Sequence, residues 1–365
     1  MSYQLQAGSL EGLYAHMSEF AGARRELNLE GIVMAEDAFG LVPAAATEGF
    51  AVSQVVIVQD ETDIRRAGAS VKPQMEQLFA AAGHPPKVVR LSDPHELHTT
   101  PEHIAVVQQV LRPGTVVVAL GSGTVTDIAK HAVFEFEKAT PGERLRLVAT
   151  QTANSVVAYT SNQAPITFGQ VKRTLPSRLP DLLVLDTQTL ADCPLEYTVG
   201  GLGDAFVVAG SFADYRLANL LGMGRWEPVS WETMRFSLAR FLAKDPILAD
   251  RGVAGAGVLA LDLAACGLSL SFAGESAPVS GLEHVTSHTL DMAAHRFGRP
   301  VGNHGSQCGL ATILTLIVFD RLFAEADFSR LDPADIDDDA EQAKVRHAFE
   351  RLDADGKAWR ECWSD

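Results

Sequence analysis

The stretch TVVVALGSGTVTDIAK, residues 115–130, joins an apolar, β-branched run to a glycine turn and then to a helical pattern. Gly121 and Gly123 lack Cβ atoms, so backbone N–H groups at the turn can approach an anion closely. The helix that follows directs its free N–H groups and the positive end of its dipole toward the same place. The stretch therefore predicts a phosphate-binding turn, although a plain strand-to-helix connection fits the same residues.

Short apolar runs alternate with helical segments on both sides of this turn. Alternation at these lengths is typical of a parallel, doubly wound α/β sheet. From about Asp192 onward, long segments of helical periodicity dominate and no further strand is predicted. We therefore predict an α/β dinucleotide-binding domain over residues 1–190 and an all-α domain over residues 191–365. The predicted strands are 52–60, 86–91, 115–120, 144–150 and 181–186, and the predicted helices of the first half lie near 71–82, near 101–111 and from Thr126.

Composition restricts the class of protein. A chain of 365 residues is longer than one hydrophobic core usually supports, and a formal net charge of -16 argues against a nucleic-acid or anionic membrane surface. The four cysteines form no CxxC pair and the N-terminus has no signal-peptide pattern, so we expect reduced thiols in the cytoplasm. The apolar run 253–272 is interrupted by Asp262, which favours a buried helix over a membrane span. We also expect the native fold to extend beyond the final residues, AWRECWSD.

Polar residues follow two further predicted strands at their ends. Asp60 ends VVIVQD, where a carboxylate could accept hydrogen bonds from an adenosine ribose and repel a 2'-phosphate. A carboxylate in an ordinary turn explains Asp60 equally well. The loop after 144–150 carries Thr152, Ser155 and Ser161, whose hydroxyls could reach a phosphate or a nicotinamide amide.

Three segments of the second half carry metal-ligating residue types among small residues. GGLGDAF contains Asp204, SGLEHVTSH contains His284 and His288, and GNHGSQCG contains His304. The two histidines spaced four apart share one face of any helix, so one could bind a metal while the other faces a substrate. A lone aspartate at the start of an apolar helical run is more often an N-cap, and lone histidines are more often satisfied core residues. One carboxylate and two imidazoles nevertheless form a three-ligand set with an open fourth position, which is typical of catalytic zinc.

These motifs resemble the iron-containing alcohol dehydrogenase and dehydroquinate synthase-like superfamily, and within it the sn-glycerol-1-phosphate dehydrogenase family. The resemblance runs from about Gly31 to the C-terminus: GSGTVTDIAK is similar to the family's GxGTxxDxxK cofactor loop, and SGLEHVTSH to its SGxEHxxSH signature. It implies a dehydroquinate synthase-like fold, NAD or NADP as cofactor, and one divalent metal, with zinc favoured over nickel or iron.

The resemblance also implies residue roles. Asp204, His284 and His304 would hold the metal; Asp204, His288 and Lys172 would act in catalysis. The dinucleotide would contact Gly121, Ser122, Gly123, Thr124, Thr152, Ser155 and Ser161. Asp60, by its position at a strand end, and Asp127, by its position after the glycine turn, are added to this predicted cofactor set.

Two positions depart from the family pattern. TANSVVAYTS has Val157 where the family has a substrate-contacting aspartate, and ESAPVSG has Ala277 where the family usually has an arginine. Loss of a carboxylate and a cation predicts a drier pocket that fits a small phosphorylated polyol poorly.

The combined interpretation is an NAD(P)-dependent oxidoreductase that acts on a CH–OH group of a small molecule, resembling a glycerol-1-phosphate dehydrogenase with an altered pocket. We expect a homo-oligomer. One alternative is a dehydroquinate synthase-like cyclase or lyase that uses NAD transiently, and another is a weakly catalytic protein that binds NAD or metal.

Overall fold

A computed structural model describes residues 27–94, 97–168, 171–325 and 337–351 of the chain, together with a few single positions outside these ranges. Its strands are β1 (Gly31–Ala35), β2 (Gln54–Gln59), β3 (Arg65–Arg66), β4 (Ala69–Ser70), β5 (Lys87–Arg90), β6 (Thr115–Gly121), β7 (Arg146–Gln151), β8 (Gln163–Phe168), β9 (Val171–Pro176) and β10 (Leu182–Asp186).

The helices between and after these strands alternate with them in the first half and follow one another in the second. They are α1 (Val42–Thr47), α2 (Val71–Ala81), α3 (Pro101–Gln108), α4 (Gly123–Ala139), α5 (Thr187–Ala191), α6 (Leu195–Phe206), α7 (Val208–Leu220), α8 (Pro228–Ala243), α9 (Val253–Ala273), α10 (Leu282–Arg296), α11 (His304–Glu325) and α12 (Asp338–Phe349).

Six strands form one parallel sheet in the order β1-β10-β7-β6-β2-β5. The central strand β6 is buried along its whole length, as expected for a strand covered on both faces by helices. The chain runs from β2 out to β5 and then returns to β6 on the other side of β2. This reversal opens a crevice at the carboxyl ends of β2 and β6, which is where open α/β sheets bind ligands.

The predicted doubly wound sheet is confirmed by this order and by the solved structures of similar fold described below. The prediction that a helix begins at Thr126 was wrong, because that helix, α4, begins at Gly123 with Ser122 as its N-cap. The sequence analysis also missed β1 and the two antiparallel pairs β3–β4 and β8–β9. Pro165 and Pro176 lie within β8 and β9, and proline weakens a strand pattern in sequence.

The second half of the described chain is helical, as predicted. By length and composition, α9 and α11 each resemble a membrane-spanning helix, with 83% and 28% of their most apolar windows buried in the fold. The apolar run 253–272 is a core helix, since Ala260, Leu261 and Leu268 of α9 pack with Leu183 of β10 in one apolar cluster.

The last strand of the sheet ends at Asp186, close to the predicted boundary near residue 190. One apolar cluster joins the sheet to α9, so the two halves of the chain share part of their core. The division into two domains therefore stays a proposal. Of the acidic segment 331–342, residues 331–336 lie outside the described residues. Asp337 caps the N-terminus of α12 with its carboxylate.

Candidate active site

Three helices bring the predicted metal ligands together. Asp204 lies in the last turn of α6, His284 in the first turn of α10, and His304 at the start of α11. The N-cap alternative for Asp204 is therefore wrong, since helix α7 begins only at Val208. Asp204 directs its carboxylate from the end of α6 toward the first turns of α10 and α11.

The glycines around these residues allow the helices to approach each other. A Cβ atom on Gly305 would lie 2.0 Å from the carbonyl oxygen of Gly200, and one on Gly309 would lie 2.8 Å from Cα of Gly203. These small residues let the backbones of α6 and α11 pack against each other, and this contact sets the separation between Asp204 and His304.

The side chains of the set converge on one point. Oδ1 of Asp204 lies 3.7 Å from Nε2 of His284 and 4.0 Å from Nε2 of His304. The ring centroids of the two histidines are 5.1 Å apart. Cys308 joins the group, because one ligand atom from each of the four residues lies within 4.8 Å of the others.

Neighbouring polar groups orient both imidazoles. Nδ1 of His284 lies 3.0 Å from Oε1 of the buried Glu283, which also accepts a hydrogen bond from the backbone N–H of Gly281. A protonated Nδ1 that donates to this carboxylate leaves Nε2 free to face Asp204. Such a carboxylate behind a histidine is the usual outer partner of a metal-binding imidazole. The sequence analysis missed Glu283, although its position next to His284 in the SGLEH motif was the available signal.

His304 is held in a similar way. Its Nδ1 lies 3.0 Å from Oγ of Ser287, and that hydroxyl donates to Oε1 of Gln307 at 2.7 Å. Because the Ser287 hydroxyl donates its proton to Gln307, its oxygen can accept a hydrogen bond from Nδ1–H of His304. Nε2 of His304 is then free on the side that faces Asp204. Ser287 and Gln307 were also missed, because neither residue type marks a metal site in a sequence.

The electrostatics of this cluster suit a cation. Burial raises the pKa of Asp204, despite the opposing influence of His284 and of the Val157 backbone hydrogen bond. Burial lowers the pKa of His284, but hydrogen bonds with Cys308 and Glu283 outweigh this and raise it to about 10. The pKa of His304 is lowered by burial and by nearby Lys172. The cluster therefore favours one positive charge at its centre, and a divalent ion can take the place of a proton on His284.

The residues fit a metal ion by an independent criterion. Oδ1 of Asp204 is buried and has no hydrogen-bond partner, although the residue is only 1% exposed. Its other oxygen, Oδ2, accepts the backbone N–H of Val157 at 2.9 Å. A buried carboxylate oxygen without a partner is costly unless it faces a cation. Asp204, His284 and His304 are thus the residues that could hold a divalent metal.

A cavity opens beside this cluster. Val157 is partly buried at the boundary between the cavity and the apolar cluster around Val207 and Leu263. Lys172 enters from β9, where its Nζ lies 4.0 Å from Oδ2 of Asp291. The predicted site residues that line the cavity are Gly123, Thr124, Asp127, Ser161, Lys172, Asp204, His284, His288 and His304.

His288 faces this cavity one helical turn after His284. The two rings are 6.3 Å apart and perpendicular, so His288 does not share the position of the metal ligands. Burial, followed by the charges of Lys172 and His284, lowers the pKa of His288 to about 3. The imidazole is therefore neutral at ordinary pH and can exchange a hydrogen bond with a substrate.

A second cavity lies at the carboxyl ends of β2 and β6, at the reversal of strand order. Among the predicted cofactor residues, Asp60, Ser122, Thr124 and Thr152 line it. Thr124 lines both cavities, and the adjoining Gly123 lines the first. The two cavities therefore meet at these residues. A molecule in the second cavity would therefore reach the first beside the N-terminus of α4.

Asp60 is both a turn carboxylate and a residue of this cavity. It accepts hydrogen bonds from the backbone and hydroxyl of Thr62 and forms an ion pair with Lys72, whose Nζ lies 2.8 Å from Oδ1. The two interpretations of Asp60 are thus compatible. The ion pair with Lys72 reduces the repulsion that Asp60 can exert on a 2'-phosphate.

Other predicted cofactor residues have structural contacts. Asp127 pairs with the buried Lys130 at 2.8 Å, and Nζ of Lys130 donates to the carbonyl oxygens of Ala158, Ser161 and Gln163. This pair therefore holds the loop that carries Val157. Gly121 and Ser155 are buried but are not among the residues that line either cavity described here.

Comparison with known proteins identifies similar sequences and structures. The model of the iron-containing alcohol dehydrogenase family matches residues 33–194. The glycerol-1-phosphate dehydrogenase (NAD(P)+) of Bacillus subtilis is 28% identical over 231 residues, which cover 63% of this chain and 57% of that protein. The enzyme of the same name from Bacillus licheniformis is 25% identical over 337 residues, covering 92% of this chain and 79% of that one. The chain thus spans only a little over half the length of the first of these relatives.

Solved structures share the fold. A probable glycerol dehydrogenase from Sinorhizobium meliloti aligns with a TM-score of 0.58 at 15% identity, covering 91% of each chain. A 2-deoxy-scyllo-inosose synthase complexed with carbaglucose-6-phosphate, NAD+ and Co2+ aligns with a TM-score of 0.53 at 14% identity, covering 89% of this chain and 85% of that one. Residues 33–194 therefore match the iron-containing alcohol dehydrogenase family, the curated relatives are named glycerol-1-phosphate dehydrogenases, and the solved structures share the fold of this chain.

Proposed function

We propose that the protein is a metal-dependent and NAD(P)-dependent dehydrogenase that acts on a CH–OH group of a small molecule. The observation that carries the proposal is the unpartnered Oδ1 of Asp204, which faces two imidazole Nε2 atoms beside a glycine turn at a sheet crevice. A metal cluster and a nucleotide crevice that meet at Thr124 suit hydride transfer between a cofactor and a carbinol.

The nucleotide crevice would hold the cofactor through the N-terminus of α4. Ser122, Thr124 and Thr152 are close enough to one another to contact the dinucleotide phosphates, since all three line the same cavity. Free N–H groups and the helix dipole favour a pyrophosphate there. Asp60 would accept hydrogen bonds from the adenosine ribose. This arrangement supports NAD or NADP as cofactor.

Asp204, His284 and His304 would hold one divalent metal; zinc is favoured because three protein ligands with an open position are typical of catalytic zinc, and imidazole ligands also suit nickel and iron. When bound, the ion supplies Lewis-acid polarisation of the substrate oxygen. Glu283 and Ser287 keep the Nε2 atoms of the two histidines turned toward Asp204. His288 and Lys172 line the same cavity, so a neutral imidazole and an ammonium group are available to orient the substrate.

We propose that this chain differs from its relatives in the substrate that it accepts. Lys172 is the one lysine or arginine among the residues that line the cavity, and Ala277 does not reach it. The curated relatives are named for glycerol 1-phosphate, a small dianionic polyol. A single cation and the isopropyl group of Val157 favour a larger or less polar carbinol over that molecule.

We infer that the protein works in the cytoplasm as a homo-oligomer. Exposed apolar side chains along α11 support self-association, since Leu310, Leu314 and Ile317 are each more than half exposed. Sedimentation equilibrium of the intact chain tests this. A monomer at all concentrations would contradict the homo-oligomer, and unchanged assembly in a Leu314→Glu, Ile317→Glu variant would show that α11 is not its interface.

Metal analysis of the purified protein, followed by a spectrophotometric screen of polyols, polyol phosphates and ketones with NAD and NADP, tests the proposed function. We expect one divalent ion per chain and net production of NADH or NADPH from at least one alcohol. Product formation without net reduced cofactor would instead identify the cyclase or lyase alternative. Tight NAD binding with no turnover of any carbinol would leave the binding-protein alternative.

A further inference from the structure

Cys308 occupies a position that the three predicted ligands do not explain. It lies one helical turn after His304 on α11, so both side chains project from the same face. The residue is fully buried, and its Sγ lies 3.7 Å from Nε2 of His304. It also belongs to the group of four residues whose ligand atoms lie within 4.8 Å of one another.

A second observation points to a ligand at the same place. Asp204 belongs to the same group of four residues, and its Oδ1 is buried without a hydrogen-bond partner. In a tetrahedral zinc site, N, O and S ligands are separated from one another by roughly 3.3–3.6 Å, given their usual bond lengths to the metal. The distances of 3.7 and 4.0 Å from Asp204 to the imidazoles, and of 3.7 Å from Sγ to His304, are slightly longer than this. Sγ of Cys308 also lies 3.9 Å from Nδ1 of His304, so the imidazole or the thiol has to rotate before both bind one ion.

We propose that Cys308 is a fourth protein ligand, which binds the divalent ion through Sγ and completes an Asp-His-His-Cys site. The proposal rests on the metal site of the proposed function. Binding replaces the S–H bond with an S–metal bond, and the thiol proton leaves to solvent. With Cys308 bound, a substrate oxygen would enter as a fifth ligand, an expansion that catalytic zinc sites allow.

A thiolate changes which metals the site prefers. Sulfur ligands favour Zn²⁺ and Co²⁺, whereas carboxylate and water ligands suit Mg²⁺ and Mn²⁺. Cys308→Ser replaces the soft sulfur with a hard oxygen at nearly constant volume. We expect this variant to lose affinity for Zn²⁺ by about 100-fold or more, with a much smaller loss for Mn²⁺.

Cobalt substitution gives a readout that does not depend on activity. The full chain loaded with Co²⁺ should show an intense near-ultraviolet band from thiolate-to-cobalt charge transfer. This band should disappear in Cys308→Ser and remain in Cys266→Ser. Cys266 is the matched control, because it is also a fully buried free thiol of the same apolar cluster but is outside the group of four.

The outcomes separate this proposal from the proposed function. If the protein binds one Co²⁺ per chain without a charge-transfer band, Cys308 is not a ligand and the three-ligand site stands. If the band persists in Cys308→Ser, the thiolate comes from another cysteine and the proposal is overturned. If no metal binds at all, the proposed function itself fails. Circular dichroism of Cys308→Ser and Cys308→Ala checks that both variants fold, so that a lost band reports a lost ligand.

Discussion

Gly203 of α6 and Gly305 of α11 are in backbone contact, so that a Cβ atom on Gly203 would lie 2.1 Å from the carbonyl oxygen of Gly305. No side chain can enter that space without moving one helix away from the other. Because Asp204 follows Gly203 and His304 precedes Gly305, the contact between the two glycines also fixes the distance between two candidate ligands.

Gly305→Ala should therefore separate the helices and weaken the site. We expect a loss of unfolding free energy of about 3 kcal/mol, the upper part of the range for overpacking a tight interior. Metal occupancy should fall with it. Gly40→Ala is the control, since nothing lies within 4 Å of a Cβ there, and its effect should stay within about 0.5 kcal/mol. Urea denaturation and metal analysis measure both effects, and equal stability of the two variants would contradict the close contact.

Removal of any one candidate ligand should empty the metal site. We expect Asp204→Asn, His284→Ala and His304→Ala each to lose the metal and turnover while most of the fold remains, because loss of any of these ligands leaves the site underfilled. Mass spectrometry of the metal content and circular dichroism measure these effects. Full metal occupancy with normal activity in any of the three variants would show that the residue is not a ligand.

Asp60 should make the protein prefer NAD to NADP, and Lys72 should moderate that preference. Asp60→Ser removes the carboxylate and should weaken the preference by about tenfold, whereas Lys72→Met removes the ion pair and should strengthen it. Dissociation constants for the two cofactors measure the ratio. Asp63→Ser is the control, because Asp63 lines the same cavity but pairs with the exposed Arg65. Equal affinity for NADP in the unmodified protein would contradict a discriminating role for Asp60.

Val157 should limit the use of small polyol phosphates. A site that hydrogen-bonds a substrate hydroxyl discriminates by about 10⁴ against a ligand that lacks it, so loss of the acceptor is costly for a polyol. We expect a low kcat/KM for glycerone phosphate, which rises at least about tenfold in Val157→Asp and less in the uncharged Val157→Asn. Efficient reduction by the unmodified protein, with no gain in Val157→Asp, would mean that another residue of the cavity supplies the contact.

His288 should make the metal-free protein less stable in acid. Its folded-state pKa of about 3 lies below the ordinary value of 6.5, so the unfolded chain binds a proton that the folded chain excludes. Stability from this residue is complete above pH 6.5 and is lost as the pH falls toward 3. His288→Gln should reduce the loss between pH 7.5 and pH 5 by at most about 2 kcal/mol. Thermal unfolding in chelator measures this, with exposed His347→Gln as control; identical pH profiles for wild type and His288→Gln would contradict the buried neutral imidazole.

Local sequence was enough to predict the main strands of the sheet and to identify the three polar motifs. A buried parallel strand needs a continuous apolar run and a helix needs its period, so β2, β6 and α9 could be predicted from local order alone. Asp204, His284 and His304 stood out because metal-ligating residue types recur among glycines. The boundaries were less certain, since Gly123 opens α4 although glycine is a poor helix former within a helix.

Helix packing brings these motifs together into one site, and the sequence does not show this. Asp204 and His304 are 100 residues apart in the chain, and no local pattern reports that two glycine faces bring their helices into contact. The same packing places Cys308 against His304 and Glu283 behind His284, although each residue looks ordinary in its own segment. Local periodicity follows from the geometry of one helix or strand, whereas the composition of a site depends on how separate helices cross, and that depends on contacts distant in sequence.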